Sequence, residues 1–142
     1  MKVLVLHGPN LNLLGTREPE VYGSLTLAEV DGAVRERADE LGVDVEFAQS
    51  NGEGELIDLI QAAPKTFDAI VFNPGGYSHT SVAIRDAVAA IGIPTIEVHL
   101  TNPSAREDFR TVDVVAGACA GVVAGFGWRS YVMALEAFAA GA

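Results

Sequence analysis

Arg17 and Tyr22 share the segment HGPNLNLLGTREPEVYG (7–23), a Gly- and Pro-bounded loop between two apolar runs. A free phenol is a poor base at neutral pH, whereas a guanidinium is always charged and favours a phenolate by Coulomb attraction. Together the two side chains could take a proton from an acidic C–H. A surface tyrosine beside a solvated arginine is the ordinary reading of such a loop. Glu97 and His99 stand two apart in an apolar, strand-like run, a spacing that sends both side chains to one face. Histidine gives or takes a proton near neutral pH; a satisfied core histidine is the alternative. A carboxylate beside it would be costly to bury without purpose. His79 and Ser81 fall at an expected helix N-terminus, where free N–H groups attract anions. Ser78 or Thr80 is read as the cap of that helix. Arg106 and Arg110 in SAREDFR are four apart, one helical turn, spaced to converge on a carboxylate or to pair with Glu107 and Asp108.

Positioning these groups requires regular elements, and the chain alternates strand-like with helix-like segments. KVLVLH (2–7) reads as a buried parallel strand. Thr26 to Glu29 has capping-box spacing, after which Leu27, Val30, Val34 and Leu41 share a helical face that Gly42 ends. VDVEFA (43–48) reads as a second strand, and 53–63 as a helix stopped by Pro64. AIVFN (69–73) is a third strand. The following helix turns Ile84, Ala87, Val88 and Ile91 to the core. TIEVHL (95–100) and GVVAGF (121–126) complete five strands, with a closing helix from Arg129 to Ala139. This alternation predicts one α/β domain over 1–142. Its sheet is a flavodoxin-like, doubly wound, five-stranded parallel sheet of order 2-1-3-4-5 with helices on both faces.

Composition narrows the function classes. A net charge of −10 argues against a nucleic-acid partner. No run of about 18 apolar residues supports a membrane span, and strand-like KVLVLH at the first residues reads as structural rather than as a targeting segment. The single cysteine, Cys119, suits a small buried filler and a reducing, cytoplasmic setting. Lys2 and Lys65 are the only lysines, and neither sits where imine chemistry would place it. No GxGxxG or Walker loop supports NAD or ATP. Histidine spacing gives zinc no support, while a carboxylate-bound magnesium stays open.

In doubly wound sheets, ligands bind beyond the carboxyl ends of the strands. At that edge the first strand delivers His7 and Asn10, and the second Gln49, Ser50 and Asn51. The third delivers Asn73, and the fourth Glu97, His99, Thr101 and Asn102. The opposite edge carries only Gly42, Pro64 and GIP (92–94). This asymmetry marks a site. A flavodoxin-like binding module for an anionic ligand or flavin is the rival reading, though no Ser/Thr-rich phosphate loop follows the first strand.

HGPNLNLLGTREP, VYG, QSN, FNPGGYSHTSVAIRDA, IEVHLTN and AREDFR together resemble the type II 3-dehydroquinate dehydratases over nearly the whole chain. The resemblance implies a cofactor-free, metal-free hydro-lyase that converts 3-dehydroquinate reversibly to 3-dehydroshikimate, in the shikimate pathway of aromatic amino acid biosynthesis or in quinate use. The route it implies is an anti elimination through an enolate. In that family's pattern Tyr22 is the base, Arg17 keeps it ionised, and His99 protonates the departing hydroxyl. Asn10 holds a water at the enolate and Glu97 orients that corner. Asn73, His79, Leu100, Thr101 and Arg110 contact substrate, with Arg106 nearby, and Asp86 reaches a neighbouring subunit's site. The implied assembly is a homododecamer, a tetramer of trimers. His7 stands where many members have Asn, and Pro103-Ser104 replaces a common Ile-His or Val-His.

Overall fold

The computed structural model describes residues 1–142. Five parallel strands, β1 (Lys2–His7), β2 (Asp44–Gln49), β3 (Ala69–Asn73), β4 (Thr95–His99) and β5 (Gly121–Ala124), pair in the order 2-1-3-4-5. Five α-helices run along the chain: α1 (Pro19–Tyr22), α2 (Leu27–Leu41), α3 (Glu53–Ala62), α4 (Val82–Ala90) and α5 (Arg129–Ala139). The expected fold is the observed one.

Strand alternation explains the two cores. Val3, Val5, Val71, Ile96 and Val98 meet Val30 and Val34 of α2 and Tyr131, Leu135 and Phe138 of α5. Leu4, Leu6, Ile70 and Phe72 meet Leu56 and Ile60 of α3 and Ile84 and Val88 of α4. Apolar side chains on both faces account for the nearly continuous hydrophobic runs of β1, β3 and β4. Ile96 and Val98 take the α2/α5 side, so Glu97 and His99 face the other layer.

Local signals explain most boundaries. The Thr26–Glu29 capping box is formed in both directions, and Gly42 ends α2 at φ 70°. Helix α4 departs from the expected cap. Residues 75–79 wind into a 3-10 turn, so the helix starts later and Ser81 caps it, its Oγ accepting from the Ile84 N–H at 3.0 Å. Neither Ser78 nor Thr80 does this. β5 ends at Ala124 because Gly125 turns the chain at φ 97°. Cys119 is half-buried, its thiol pushed up to about 12 by desolvation.

Two glycines set the geometry of the ligand edge. A Cβ on Gly8 would stand 2.8 Å from Asn73 O and from the Pro74 carbonyl, and the Gly8 N–H donates to Asn73 O at 2.7 Å. Gly75 turns at φ +59° with Pro9 only 3.2 Å from where its Cβ would be. The loops after β1 and β3 are thereby pressed together, which brings Asn10 beside Asn73.

Candidate active site

A crevice of about 270 Å³ opens at the carboxyl ends of β1, β3 and β4. Asn10, Arg17, Tyr22, Asn73, His79, His99, Leu100, Thr101, Arg106 and Arg110 all line it. Ten of the twelve residues to which the family resemblance gives site roles thus line one crevice. Glu97 lies behind His99, fully buried. Asp86 is elsewhere, on the exposed side of α4, paired with Arg85 at 3.0 Å.

Helix α1 carries Tyr22 over the crevice. Arg106 Nη2 donates to the Tyr22 phenolic oxygen at 2.7 Å. Arg17 lies instead over the ring face, 4.4 Å from its centroid, and pairs with Glu18 at 3.7 Å. Sequence proximity favoured Arg17 as the partner of the phenol oxygen; the contact at that oxygen belongs to a residue 84 positions away. That hydrogen bond is charge-assisted, and a second guanidinium against the ring adds attraction. Arg106 also reaches Thr101 Oγ1 at 3.4 Å. The expected helical turn linking Arg106 to Arg110 is absent. Two short 3-10 turns, Pro103–Ala105 and Asp108–Thr111, flank Arg106, and Arg110 bonds Glu107 at 3.2 Å.

On the facing wall, His99 Nε2 is 2.7 Å from Glu97 Oε2. Burial pushes the Glu97 carboxyl well above the carboxylate range, with Asp113 adding to the shift. Burial also pushes His99 below the usual imidazole range, more than Asp113 restores. Both shifts, driven by burial, disfavour charge on this pair. With the proton on Glu97, Oε2–H would donate to Nε2 and His99 would carry its own proton on Nδ1. The donor atoms of Glu97, His99 and Asp113 lie within 4.8 Å of one another, close enough in principle to share a cation.

A stability prediction follows from the raised Glu97. Below its unfolded-state value of about 4.3 both folded and unfolded chains hold this proton. Above it, the unfolded chain releases a proton that the folded chain must keep, so folding loses stability as pH rises. Glu97→Gln is expected to stabilise the protein by roughly 1–3 kcal/mol near pH 7, while slowing turnover. Melting temperatures of both proteins across the range of about pH 5 to 8 check this, because the gap should widen with pH.

The crevice-lining Asn73 at the end of β3 is held just as firmly. His7 and Asn73 are register partners, so both point to the α2/α5 layer. There Asn73 Nδ2 donates to the Tyr131 hydroxyl at 3.0 Å. That hydroxyl donates to His7 Nδ1 at 2.9 Å, and His7 Nε2 donates to Asp31 Oδ1 at 2.7 Å. Asn73 Oδ1 accepts from the Gly75 N–H at 3.0 Å, so the amide orientation is fixed at both ends. Tyr131 and Asp31 were invisible as functional residues, because only their location in the fold reveals them. Tyr131→Phe leaves the Asn73 amide without its acceptor. It is expected to cost about 1–2 kcal/mol of stability and to raise KM several-fold, read by thermal melts and steady-state rates.

Other groups find supporting roles. His79 Nδ1 donates to Val112 O at 2.7 Å, which fixes the imidazole at the crevice wall. Asn10 sits at φ 70°, a left-handed turn that asparagine tolerates, and its N–H donates to Asn51 Oδ1 at 3.0 Å. Gln49 and Asn51 brace the loops after β1 and do not line the crevice.

The family model described as class II dehydroquinase matches residues 1–139. The chain belongs to the class II dehydroquinases. A 3-dehydroquinate dehydratase of Pelotomaculum thermopropionicum is 58% identical over 140 residues, 99% of this chain and 97% of that one. One from Desulforudis audaxviator is 57% identical, covering 96% of this chain and 91% of its own. The crystal structure of the type II dehydroquinase from Butyrivibrio crossotus superposes with a TM-score of 0.94 at 44% identity, over 96% of each chain. Agreement at both levels means that the crevice of this class II dehydroquinase sits on a sheet and loops shared with its relatives.

Proposed function

We propose that the crevice dehydrates 3-dehydroquinate to 3-dehydroshikimate through an enolate. The observation that carries this reading is a phenol held by a guanidinium at 2.7 Å, in one crevice with a buried acid–imidazole pair. Tyr22, as phenolate, removes the proton alpha to the ketone, with Arg106 and Arg17 holding its charge. Asn10 supports the water that steadies the enolate oxygen. His99 then protonates the beta-hydroxyl, which leaves as water. Asn73, His79, Thr101 and the Leu100–Thr101 backbone position the ring, and Arg110 neutralises the substrate carboxylate in a strongly acidic protein.

The loop bearing Arg17 and Tyr22 acts as a lid whose closure excludes water and strengthens these contacts. The reaction uses no cofactor. The reading extends to a single catalytic domain in a cytoplasmic dodecamer, a tetramer of trimers, in which the exposed Asp86 reaches a neighbour's site. No helix is long and apolar enough to cross a membrane. The direct test is to supply 3-dehydroquinate and follow ultraviolet absorbance of the conjugated enone. Absence of that absorbance with folded protein would end the reading.

A further inference from the structure

Asp113 has no part in the mechanism above, yet its placement is tightly determined. It follows the 3-10 turn Asp108–Thr111. Its Oδ1 accepts from the Val115 and Ala116 N–H groups at 3.0 and 2.9 Å, which locks the carboxyl plane. Oδ2 is consequently turned to the buried pair, 3.9 Å from His99 Nε2. Glu97 Oε1, on the same cluster, is fully buried and has no hydrogen-bond partner. Two carboxyls this close, in a water-poor corner, cannot both ionise. Asp113 is 27% exposed and accepts two N–H bonds, whereas Glu97 is fully buried. Burial favours the proton on Glu97, while two backbone donors hold the partly exposed Asp113 carboxyl against it.

We propose that Asp113 is the charged member of a carboxyl pair with Glu97, a positioning residue that keeps the Glu97–His99 pair loaded with the proton it must deliver. The inference rests on the dehydration reading. In the step it serves, His99 Nδ1–H passes to the departing hydroxyl oxygen. The C–O bond breaks with both electrons on that oxygen, water leaves, and the enolate's electron pair forms the new double bond. The Glu97 proton moves from Oε2 to His99 Nε2, so the imidazole stays neutral and the negative charge ends on Glu97. The other titratable groups near the cluster are His79, bonded to Val112 O beside Asp113, and the Cys119 thiol. The flanking strands place Phe72 and Val122 opposite Glu97, and Arg106 and Arg110 line the same crevice. None of these groups is a second carboxylate, so the like-charge effect falls to Asp113.

The variant that separates charge from structure is Asp113→Asn, whose amide oxygen still caps Val115 and Ala116. Its kcat at low pH should stay within a few-fold of wild type. The alkaline limb of the kcat–pH profile should move down by about one pH unit or more. A limb that stays in place overturns the proposal, whether the rate is normal or uniformly reduced. A second measurement needs no variant at this position. In protein carrying 13C-carboxyl glutamate, the Glu97 resonance, identified by its loss in Glu97→Gln, should read as the protonated acid at neutral pH. A resonance reading as carboxylate there overturns the proposal even if Asp113→Asn fails to fold. Wild-type protein inactive on 3-dehydroquinate would refute the reading of the reaction itself; an active wild type with an unmoved limb refutes only the role of Asp113.

Discussion

Tyr22→Phe is expected to lower kcat by about 10³-fold or more, within the range that loss of a positioned general base produces. The ring survives the substitution, so its stacking against the Arg17 guanidinium at 4.4 Å and its place on α1 are retained. What disappears is the oxygen that Arg106 holds at 2.7 Å. KM should therefore change little and the melting temperature should stay close to wild type. Steady-state rates followed by enone absorbance decide the matter. A variant turning over near the wild-type rate would show that another group takes the proton.

His99→Ala is expected to divide the reaction in two. Dehydration should fall by roughly 10²–10⁴-fold, because the hydroxyl no longer meets an acid. Proton abstraction by Tyr22 needs no imidazole, so exchange of the alpha proton with deuterated solvent should survive. NMR of recovered substrate measures the exchange, and absorbance measures the elimination. Parallel loss of both would make His99 a structural prop. The same substitution leaves Glu97, buried and relieved of its 2.7 Å partner, in a cavity that water can enter.

The features that could be read from the chain are those fixed by short spacing. The Thr26–Glu29 box, the β-branched strands, the α5 limits and the Glu97–His99 alternation depend on neighbours a few positions apart, and all appear in the structure. The polar edge was legible for the same reason, since each strand runs directly into its loop. Contacts made across the sheet were not. Arg106 meets Tyr22 over 84 residues and Tyr131 meets His7 over 124. Spacing carries no record of such separations. The cap of α4 was misplaced because a 3-10 turn at Gly75–His79 competes with the helix for the same residues. Gln49 and Asn51 look like site residues by position, and only the fold shows that they brace Gly8 and Asn10 from behind.

The hydroxyl that steadies Asn73 lies on α5, the final helix in chain order. During synthesis, β1 to β4 and every crevice-lining residue leave the ribosome before that helix does. A nascent chain at this stage has every crevice-lining residue, but the Asn73 amide is untethered and the α2/α5 face of its sheet is covered by α2 alone. The Asn73 amide thus gains its anchor only when α5 docks, and a product truncated before the helix would leave that crevice wall loose.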